Sequence, residues 1–566
     1  MCPGLGGVDR SPRVAQSRTV SLGGPNSASD LAMSNTAVAN DRGTLGGLWS
    51  RTRLGSILAV FAGVVAVYAM RRADPDLFGY LAYGRYFVER GGPTSQDIFS
   101  YTCPQCTWVY FEYLAHISLW LAYQAGGAVG LIALKCFVGA ACVFTVLATL
   151  RSVAPRAAVW WPVYLLTLGT VPRFFLFRPQ IYTFAFLAFF VAALFRYLSG
   201  RRARLWLLPI ALAVWANLHG GFLAGLGVIM LAGLLSCARA WNRAGVSLRT
   251  GLSEARPIWV VAGACAIASF LTPQTWRLWS YLLTELIHDT NRTFIREWMP
   301  LSFSRDPWSA GAFVVAVTAL CVATLACASR HASPLGLRPW QWAASCVPLM
   351  AMSLLSARHV PVFVLWSGPV IALLADSGRL DVAEGRWRRP WIALSGAMAL
   401  PAALTLLVVL YNPWPRIALG PRVFGATSPY SAAAYFRSNA LSGNVFTPLW
   451  WGSYLTWSLH PAVHVSMDGR NVSVYPPAMV RENLEFYLRG TAQVDVPLRY
   501  RTDYLLVPRD APPAMRLRAD SRWVLLFEDT DSLIFLKSDN LHGAILTRHK
   551  EGRLRPASQN EGLFLH

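Results

Sequence analysis

The sequence predicts an all-α polytopic membrane domain followed by a small α/β domain at the carboxyl terminus, and three observations support this. Of the 566 residues, 54% are hydrophobic and only 14% are charged, whereas a soluble protein carries about a quarter charged residues. Apolar windows of roughly 17–22 residues, long enough to cross about 30 Å of hydrocarbon, recur along residues 54–411. Residues 412–566 contain no such window.

The amino-terminal segment, residues 1–50, is rich in Ser, Gly, Asn and Arg and has no hydrophobic periodicity. This composition is typical of a disordered tail. No signal-peptide core precedes the first apolar run, so we expect that run to be an uncleaved anchor. Translation that starts at Met33 is as compatible with the sequence as a start at Met1.

The membrane domain is assigned to residues 51–411, with a first outer loop at 71–114. Residues 114–125 are also apolar and are compatible with a segment that re-enters the membrane. About eleven transmembrane spans are expected, near residues 54–70, 128–150, 157–172, 181–198, 204–218, 221–238, 257–272, 309–328, 340–356, 360–376 and 390–411.

The net charge of +22 comes almost wholly from Arg, because the chain has only three Lys. Most of the Arg residues lie in short loops between apolar runs, so they indicate topology, and no nucleic-acid partner is expected. When the spans are numbered alternately, one face collects most of these loops. The positive-inside rule then places the amino terminus in the cytoplasm and residues 412–566 outside, in a multi-pass protein of the cytoplasmic (inner) membrane.

The motif that opens the first outer loop is Asp74-Pro75-Asp76. Proline restricts the residue before it to extended conformations, so the two acids are held in a stiff local geometry. Such a pair can take a proton from an acceptor hydroxyl or bind a metal. The structural alternative is that Asp76 is the N-cap of an amphipathic helix over Leu77–Glu89.

Two further acids, Asp97 and Glu112, lie in the same loop among aromatic residues. Aromatic side chains interleaved with acids suit a sugar-binding surface, although an aromatic belt at the lipid headgroups would have the same composition. In the loop between two later spans, Arg173, Arg178 and Gln180 are candidates for binding substrate. A cation at membrane depth needs an anionic partner, and a lipid phosphate or pyrophosphate fits Arg; the alternative is an Arg that extends to the headgroups.

Four other polar residues at outer span ends are predicted to bind substrate. Asn217 and His219 lie in Asn217-Leu218-His219-Gly220-Gly221, where a structural hydrogen bond is the alternative role for the histidine. Glu297 lies in the long loop at 272–308. The pair Arg358-His359 lies in the turn between two later spans and, like Arg173 and Arg178, places a cation at membrane depth.

The carboxyl-terminal domain is expected to alternate strands (444–447, 462–467, 504–507) with helices (452–459, 477–488). Segments 523–527 and 532–536 flank a hairpin turn. Asp468 and Arg470 follow a strand directly, which is a common ligand site in α/β folds and just as commonly a simple turn.

Cys103 and Cys106 have the spacing of a zinc knuckle but lack a second pair, so a local disulfide is favoured on an oxidising outer face. A divalent metal is compatible with the sequence but is not favoured, since the sequence shows no clear acidic cluster, and no other cofactor is expected. The chain also lacks a phosphate-cradling glycine loop, a Gly-x-Ser-x-Gly elbow and a dinucleotide fingerprint, which disfavours a nucleotide-sugar enzyme or an ATP-driven pump.

This order of motifs over roughly residues 54–540 resembles the GT-C glycosyltransferases. These polytopic membrane enzymes include the protein O-mannosyltransferases, the lipid A aminoarabinose transferase and the catalytic subunit of oligosaccharyltransferase. Tyr113 stands where relatives are expected to have Trp, and Asn471 stands where an acid is common. The motifs that carry the resemblance are Asp74-Pro75-Asp76-Leu77, Trp108-x-x-x-Glu112, Arg178-Pro179-Gln180, Asn217-Leu218-His219-Gly220-Gly221 and Asp468-Gly469-Arg470.

The resemblance implies a sugar donor linked to polyprenyl phosphate and transfer, with inversion, to a lipid, glycan or protein acceptor on the outer face. Asp74 or Asp76 would be the base that deprotonates the acceptor. Arg178 and Arg358 would hold the departing lipid phosphate. The sugar or acceptor pocket would be lined by Glu112, His219 and Glu297.

Two alternative functions remain from other classes of protein. A transporter or flippase of lipid or glycan would be expected to carry charge inside its spans, but the spans contain almost no acids and no inverted repeat is detected. A membrane scaffold without catalytic activity, whose outer domain binds a partner, is the second alternative.

Overall fold

The computed structural model describes residues 61, 63–68, 72–244, 253, 255–287, 296–379, 417–419, 428–489, 495–556 and 564–565. The predicted tail at 1–50 and the predicted span at 390–411 lie outside these residues. Of the predicted first span, residues 61 and 63–68 are described, and all are helical.

The described residues between 72 and 379 are mostly helical. The loops between the helices contain short 3₁₀ turns at Pro172–Phe174, Arg296–Trp298, Pro334–Gly336 and Ala357–His359. The helices are α1 (Leu77–Arg90), α2 (Tyr113–Val153), α3 (Ala157–Thr170), α4 (Gln180–Leu198), α5 (Leu207–Ala216), α6 (Phe222–Ala244), α7 (Arg256–Ala268), α8 (Trp276–Ile287), α9 (Pro307–Ser329), α10 (Pro339–Ala344), α11 (Val347–Leu355) and α12 (Val360–Ser377).

Several described helices are long and apolar enough to cross a membrane, and each matches a predicted span. They are Tyr113–Val153, Gln180–Leu198, Phe222–Arg243, Pro307–Ser329 and Ala357–Ser377. At other predicted spans the helices are shorter, as with α3, α5 and α7, or are divided, as with α10 and α11. The 10 residues of α5 rise only about 15 Å, half the thickness of the hydrocarbon core. The described residues therefore confirm a multi-pass helical architecture but not the predicted count of about eleven spans.

The apolar segment at 114–125, whose sequence is compatible with re-entry into the membrane, is the first part of α2. Helix α2 bends at Gly126 and Gly127, whose backbone angles are not helical. The part before the bend carries Glu112 at its start, and the part after it contains the predicted span at 128–150.

The carboxyl-terminal part forms a five-stranded sheet in the order β4-β3-β5-β7-β6. Strand β3 is parallel to β4 and β5, whereas β7 is antiparallel to β5 and β6. The predicted hairpin is confirmed as β6 and β7. The strands are β3 (Gly443–Phe446), β4 (Val463–Val465), β5 (Tyr504–Pro508), β6 (Trp523–Glu528) and β7 (Ser532–Lys537), and the α-helices are α13 (Tyr430–Ser438), α14 (Leu449–Leu459), α15 (Pro477–Leu484), α16 (Pro513–Arg518) and α17 (Gly543–Lys550).

Backbone pairing ties the first outer loop to the carboxyl-terminal part at two places. Strand β1 (Arg72–Ala73) is parallel to β2 (Ile417–Leu419), which is antiparallel to β8 (Phe564–Leu565). Ser100 bridges Val465 at the edge strand β4. The sheet edge is thereby covered, as natural sheets require, and the Asp74 loop is held against the outer domain.

Helix α1 also packs on the outer domain, because its apolar stripe faces that way. Leu77, Phe78 and Leu81 are buried in one hydrophobic cluster with Trp451 and Leu455 of α14. This amphipathic helix was predicted over Leu77–Glu89, and the structure ends it at Arg90, before Gly91 with a φ of 80°. The start of α1, where the two acids lie, is consequently enclosed between the helical part and the sheet.

The basic loops assigned to the opposite face contact one another. Arg156 pairs with Asp376 at 2.8 Å. The Arg201 guanidinium donates to the Ser152 carbonyl at 3.2 Å, and that of Arg239 donates to the Leu198 carbonyl at 2.7 Å. The alternating topology predicted these loops to lie together.

Candidate active site

The chain encloses a cavity of about 680 Å³ between the ends of the helices and the outer domain. Loops predicted to lie on the outer face supply its polar lining, so these loops meet, as the alternating topology requires. Nine of the predicted site residues line it: Asp74, Asp76, Glu112, Arg178, Gln180, His219, Glu297, Arg358 and His359.

The rest of the cavity wall is largely apolar. From the helical part it receives Phe184, Leu223, Met352 and Val362, and from the outer domain Leu449, Trp450, Leu484 and Leu488. A concave apolar pocket with a few convergent polar groups is the usual form of a site for an organic ligand.

Asp74 is paired with Arg178, whose guanidinium also binds a second acid. One guanidinium nitrogen donates to the Asp74 carboxylate, and the other lies 2.9 Å and 3.0 Å from the Glu297 oxygens. Burial opposes ionisation of Asp74, but the positive charge of Arg178 and hydrogen bonds from Asp76 outweigh it and lower the pKa of Asp74. Asp74 is therefore held as a carboxylate.

Asp76 is at the N-cap position of α1, but its side chain makes no capping hydrogen bond. The structural alternative considered for this residue is thus not realised. Burial and the adjacent Asp74 carboxylate raise the pKa of Asp76 well above its usual range, against the opposing charge of Arg178. The two acids of one tripeptide consequently differ in proton affinity.

Gly469 explains how the outer domain approaches Asp76 so closely. A Cβ atom at Gly469 would lie 2.0 Å from an Asp76 carboxylate oxygen. Glycine is the only residue that permits this approach. The turn at Asp468–Arg470 therefore contributes Gly469 to the cavity wall. The charged side chains of Asp468 and Arg470 are not part of the lining of this cavity.

Glu112 and His219 lie close to each other at the cavity. Gly221 N–H and the Thr183 hydroxyl both lie within hydrogen-bond distance of His219 Nδ1, at 2.9 Å and 2.7 Å, so Nδ1 accepts and the proton is assigned to Nε2. His219 Nε2 lies 3.5 Å from Glu112 Oε1. Burial, with the charges of Arg358 and Arg178, lowers the pKa of His219 to about 3, and burial raises the pKa of Glu112 to about 8.

The raised pKa of Glu112 predicts a pH-dependent stability. The ordinary value is 4.5 and the folded value about 8, so the folded state binds the proton more tightly, and the stability that this adds is lost as the pH rises between the two values. We expect Glu112→Gln, which cannot ionise, to unfold at a higher temperature than wild type at pH 8, with the difference shrinking towards pH 5 as the unfolded state also binds the proton. Thermal unfolding in detergent between pH 5 and 9 measures this, and a difference independent of pH would contradict it.

Arg358 differs from Arg178 in its surroundings. Its guanidinium stacks on the Trp298 ring at 4.1 Å, and within the described ranges no carboxylate lies within ion-pair distance of it. It lines the cavity with its charge uncompensated by a direct partner. A cation in such a position is suited to bind an anionic ligand group.

Asp97 and Arg470 lie outside this cavity lining, in a buried cluster with Asp468. The Arg470 guanidinium contacts Asp97 and Asp468, each at 2.8 Å, and these side chains are 0–2% exposed. The positive charge of Arg470 offsets burial and lowers the pKa of Asp97. The arrangement joins the first outer loop to the outer domain.

Asn217 is also not part of the cavity lining. The Asn217 amide donates to the Ala213 and Leu271 carbonyls at 2.7 Å and 2.9 Å, which fixes the end of α5. Arg173 lies in the 3₁₀ turn Pro172–Phe174.

Several aromatic residues at the cavity were not singled out in the sequence. Tyr80, Tyr281, Trp298 and Trp450 all line it. For Tyr80 a signal exists, since it lies one helical turn after Asp76 and so shares its face of α1. The others come from distant segments, and no spacing in the sequence relates them to the acids.

The predicted local disulfide is confirmed between Cys103 and Cys106. Among the described residues, no group of three or more His, Cys, Asp or Glu side chains is arranged to hold a metal ion. The Asp74 and Glu297 carboxylates are both engaged by Arg178.

Comparison with solved structures identifies proteins of the same fold. The oligosaccharyltransferase AglB from Archaeoglobus fulgidus, in complex with an inhibitory peptide and a dolichol-phosphate, aligns with 12% identity over 87% of this chain and 75% of that chain, with a TM-score of 0.54. The Archaeoglobus fulgidus oligosaccharyltransferase tethered to an acceptor peptide aligns with 12% identity over 85% and 74%, with a TM-score of 0.50. The fold implied by the resemblance to GT-C glycosyltransferases is therefore confirmed.

A third structure, ArnT from Cupriavidus metallidurans bound to undecaprenyl phosphate, aligns with 13% identity over 87% of this chain and 99% of that chain; its TM-score of 0.45 supports no inference. No protein-family model matches the sequence, and no curated protein matches it at a significant level of sequence similarity.

Proposed function

We propose that this protein is an integral membrane glycosyltransferase that moves a sugar from a polyprenyl-phosphate donor to an acceptor hydroxyl. The observation that carries the proposal is the convergence, in one cavity of this fold, of two acids with opposite pKa shifts and a guanidinium that has no described carboxylate partner. A base for the acceptor and a cation for the leaving phosphate are the two groups that such a transfer needs.

In the proposed reaction, Asp76 takes the proton of the acceptor hydroxyl. The acceptor oxygen attacks the anomeric carbon from the face opposite the phosphate, so the configuration inverts. The bond between the anomeric carbon and the phosphate oxygen breaks, its electron pair stays on the polyprenyl phosphate, and Asp76 later releases its proton to water. Asp76 is the better base of the pair because its pKa is raised, whereas Asp74 is committed to Arg178.

Arg358 is the proposed contact for the leaving phosphate, where negative charge grows in the transition state. Arg178 has a different role from the one the resemblance implied, since its guanidinium is occupied by Asp74 and Glu297. We assign to it the positioning of Asp74 and hence of the loop that carries Asp76. The mechanism uses no metal, because these carboxylates are engaged by Arg178.

The lipid-linked donor is supported by two independent features. The cavity walls from Phe184, Leu223, Met352 and Val362 are apolar and suit a polyprenyl chain next to a charged head. The AglB structure of the same fold was obtained with a dolichol-phosphate and an inhibitory peptide. The acceptor of this chain remains a lipid, glycan or protein hydroxyl.

A transporter is the alternative function, and the distribution of acids disfavours it. Within the long apolar helices, Asp376 is the only carboxylate, and it lies near the end of α12. The acids of the cavity come instead from loops at one end of the helices. Carriers use intramembrane acids along a path through the bilayer.

The test of the proposed function is donor turnover by the purified protein in liposomes. We expect wild-type protein to release undecaprenyl phosphate from undecaprenyl-phosphate hexoses, by transfer to an acceptor or slowly to water. Arg358→Met should reduce this release strongly, because the developing phosphate charge loses its partner. Absence of release from every hexose tested, with native-like folding verified, would overturn the proposal.

We further propose that the cavity opens to the outside of the cytoplasmic membrane, with the amino terminus inside. Gln96 and Arg202 are exposed residues on the two predicted faces. We expect Gln96→Cys to react with an impermeant maleimide in intact cells, and Arg202→Cys only after permeabilisation, each compared with the parent protein. The reverse pattern would invert the topology and the compartment of the reaction.

A further inference from the structure

A second cavity, of about 170 Å³, adjoins the first and is assigned no role by the proposed reaction. The two cavities share Tyr80, Glu112, Tyr281 and Trp298 in their walls. The second cavity extends between the first outer loop and the turn at Asp468–Ser473. We refer to it as the side pocket.

The side pocket is built largely of aromatic rings. Tyr80, Tyr83, Trp108 and Tyr110 line it, with the Tyr83 and Trp108 rings 5.3 Å apart and close to perpendicular. Rings of this kind give the pocket rigid and largely apolar walls. A pyranose ring has a complementary shape, because its C–H bonds form apolar faces while its hydroxyls project from the rim.

Polar groups without partners are buried in the same walls. Both ring nitrogens of His116, which is 4% exposed, lack a hydrogen-bond partner within the described part of the chain, as does the Tyr83 hydroxyl. The Glu112 carboxylate is 3.8 Å from His116 Nε2, beyond hydrogen-bond distance. Unsatisfied buried polar groups are costly and rare in folded proteins, so these nitrogens and this hydroxyl indicate a ligand that satisfies them.

The charges at the pocket are already compensated within the protein. Arg470 is bound by Asp97 and Asp468 and lies 4.8 Å from the centre of the Trp108 ring. Glu112, with its pKa of about 8, is protonated at neutral pH. The groups that remain for a ligand are uncharged donors and acceptors, which match sugar hydroxyls and not a phosphate or carboxylate.

We propose that the side pocket holds a single uncharged hexose ring, the transferred sugar of the polyprenyl-phosphate donor. This inference rests on the proposed function and deepens it. Arg358 stacks on Trp298, and Trp298 lines both cavities, so a phosphate at Arg358 places its sugar at the pocket mouth. The pocket volume of about 170 Å³ accommodates one sugar ring and is too small for an oligosaccharide.

The sharpest variant is His116→Phe, which keeps an aromatic ring against Tyr80 and removes both ring nitrogens, with a ring that is somewhat larger. Its effect on folding should be neutral or favourable, because no described hydrogen bond is lost. Tyr83→Phe removes the hydroxyl in the same manner. The matched control is Tyr435→Phe. Tyr435 is a buried tyrosine of the outer domain that donates to the Leu526 carbonyl and is not among the residues that line either cavity.

The experiment compares the binding of bare undecaprenyl phosphate with that of the same lipid carrying glucose, mannose, galactose or a trisaccharide. We expect wild type to bind at least one hexosyl lipid about tenfold more tightly than the bare lipid, about the worth of one well-placed hydrogen bond, and to gain nothing from the trisaccharide. His116→Phe and Tyr83→Phe should lose this preference and keep the affinity for the bare lipid. Tyr435→Phe should behave as wild type.

The outcomes separate this inference from the proposed function. If no hexosyl lipid binds more tightly than the bare lipid, or if His116→Phe keeps the preference, the sugar assignment is wrong and the lipid-phosphate site stands. If wild-type protein binds neither kind of lipid, the proposed function and the sugar assignment both fail.

Discussion

Replacement of Asp76 by Asn is expected to abolish sugar transfer while leaving the donor bound. Asn has nearly the same shape but cannot accept a proton. General-base catalysis contributes roughly 10²- to 10⁴-fold to a rate, so kcat/KM should fall by about that factor. The affinity for the donor should stay within a few-fold of wild type, because the proposed phosphate contact is Arg358.

The dependence on pH provides a second measurement of the same assignment. A base must be unprotonated, so wild-type kcat/KM should fall as the pH decreases below the raised pKa of Asp76. The residual activity of Asp76→Asn should not show this fall. The matched variant Asp74→Asn should lower activity through the loss of the Arg178 pair. It should keep an acid limb, shifted to lower pH because the Asp74 charge that raises the pKa of Asp76 is gone. An Asp76→Asn enzyme within tenfold of wild type would show that the base lies elsewhere.

The distinction between the two acids could not be predicted from the sequence. Asp74 and Asp76 are equivalent in the motif, and both were candidates for the base. The two acids differ because Asp74 pairs with Arg178, which lies 104 positions further along the chain, and because the Asp76 side chain makes no cap hydrogen bond. A single sequence shows which residues carry charge but not which distant charges become neighbours.

The helical architecture was predictable where apolar windows are long, as for Gln180–Leu198 and Pro307–Ser329. It was less predictable where a window of similar hydropathy contains a short helix, as at 204–218. There the helix ends at Ala216, and the Asn217 side chain donates to two backbone carbonyls. An apolar window shows that a segment prefers a nonpolar environment, and this preference is the same for a short helix and for a helix that crosses the whole membrane.

The prediction that the site residues converge on one face was correct for those that line the cavity. Asp97 and Arg470 were also predicted to bind ligand, and the structure pairs them with each other across 373 positions of sequence. A charged residue beside aromatic residues has the same sequence pattern whether it binds a substrate or pairs with another residue of the protein. His116, conversely, was not predicted to be a site residue, because a single histidine in an apolar helix has no distinctive sequence pattern.

Replacement of Arg470 by Met is expected to destabilise the fold severely. The Asp97 and Asp468 side chains are fully buried around this guanidinium, and its loss leaves two carboxylates without compensation. Breaking a buried ion pair by removing one partner typically costs about 3–5 kcal/mol. We expect a large decrease in the thermal unfolding temperature in detergent, or a loss of folded protein in the membrane.

Two further variants make this result interpretable. The triple variant Arg470→Met, Asp97→Asn, Asp468→Asn removes the unpaired charges and should recover much of the stability, since a neutral cluster needs no counterion. Arg522→Met removes an exposed guanidinium that also contacts two acids, Asp520 and Asp495, and should cause no measurable change. An Arg470→Met protein as stable as wild type but impaired in donor binding would show instead that Arg470 acts on the substrate. Stability loss with neutral rescue would assign this arginine to the junction that holds the first outer loop, and with it the side pocket, against the outer domain.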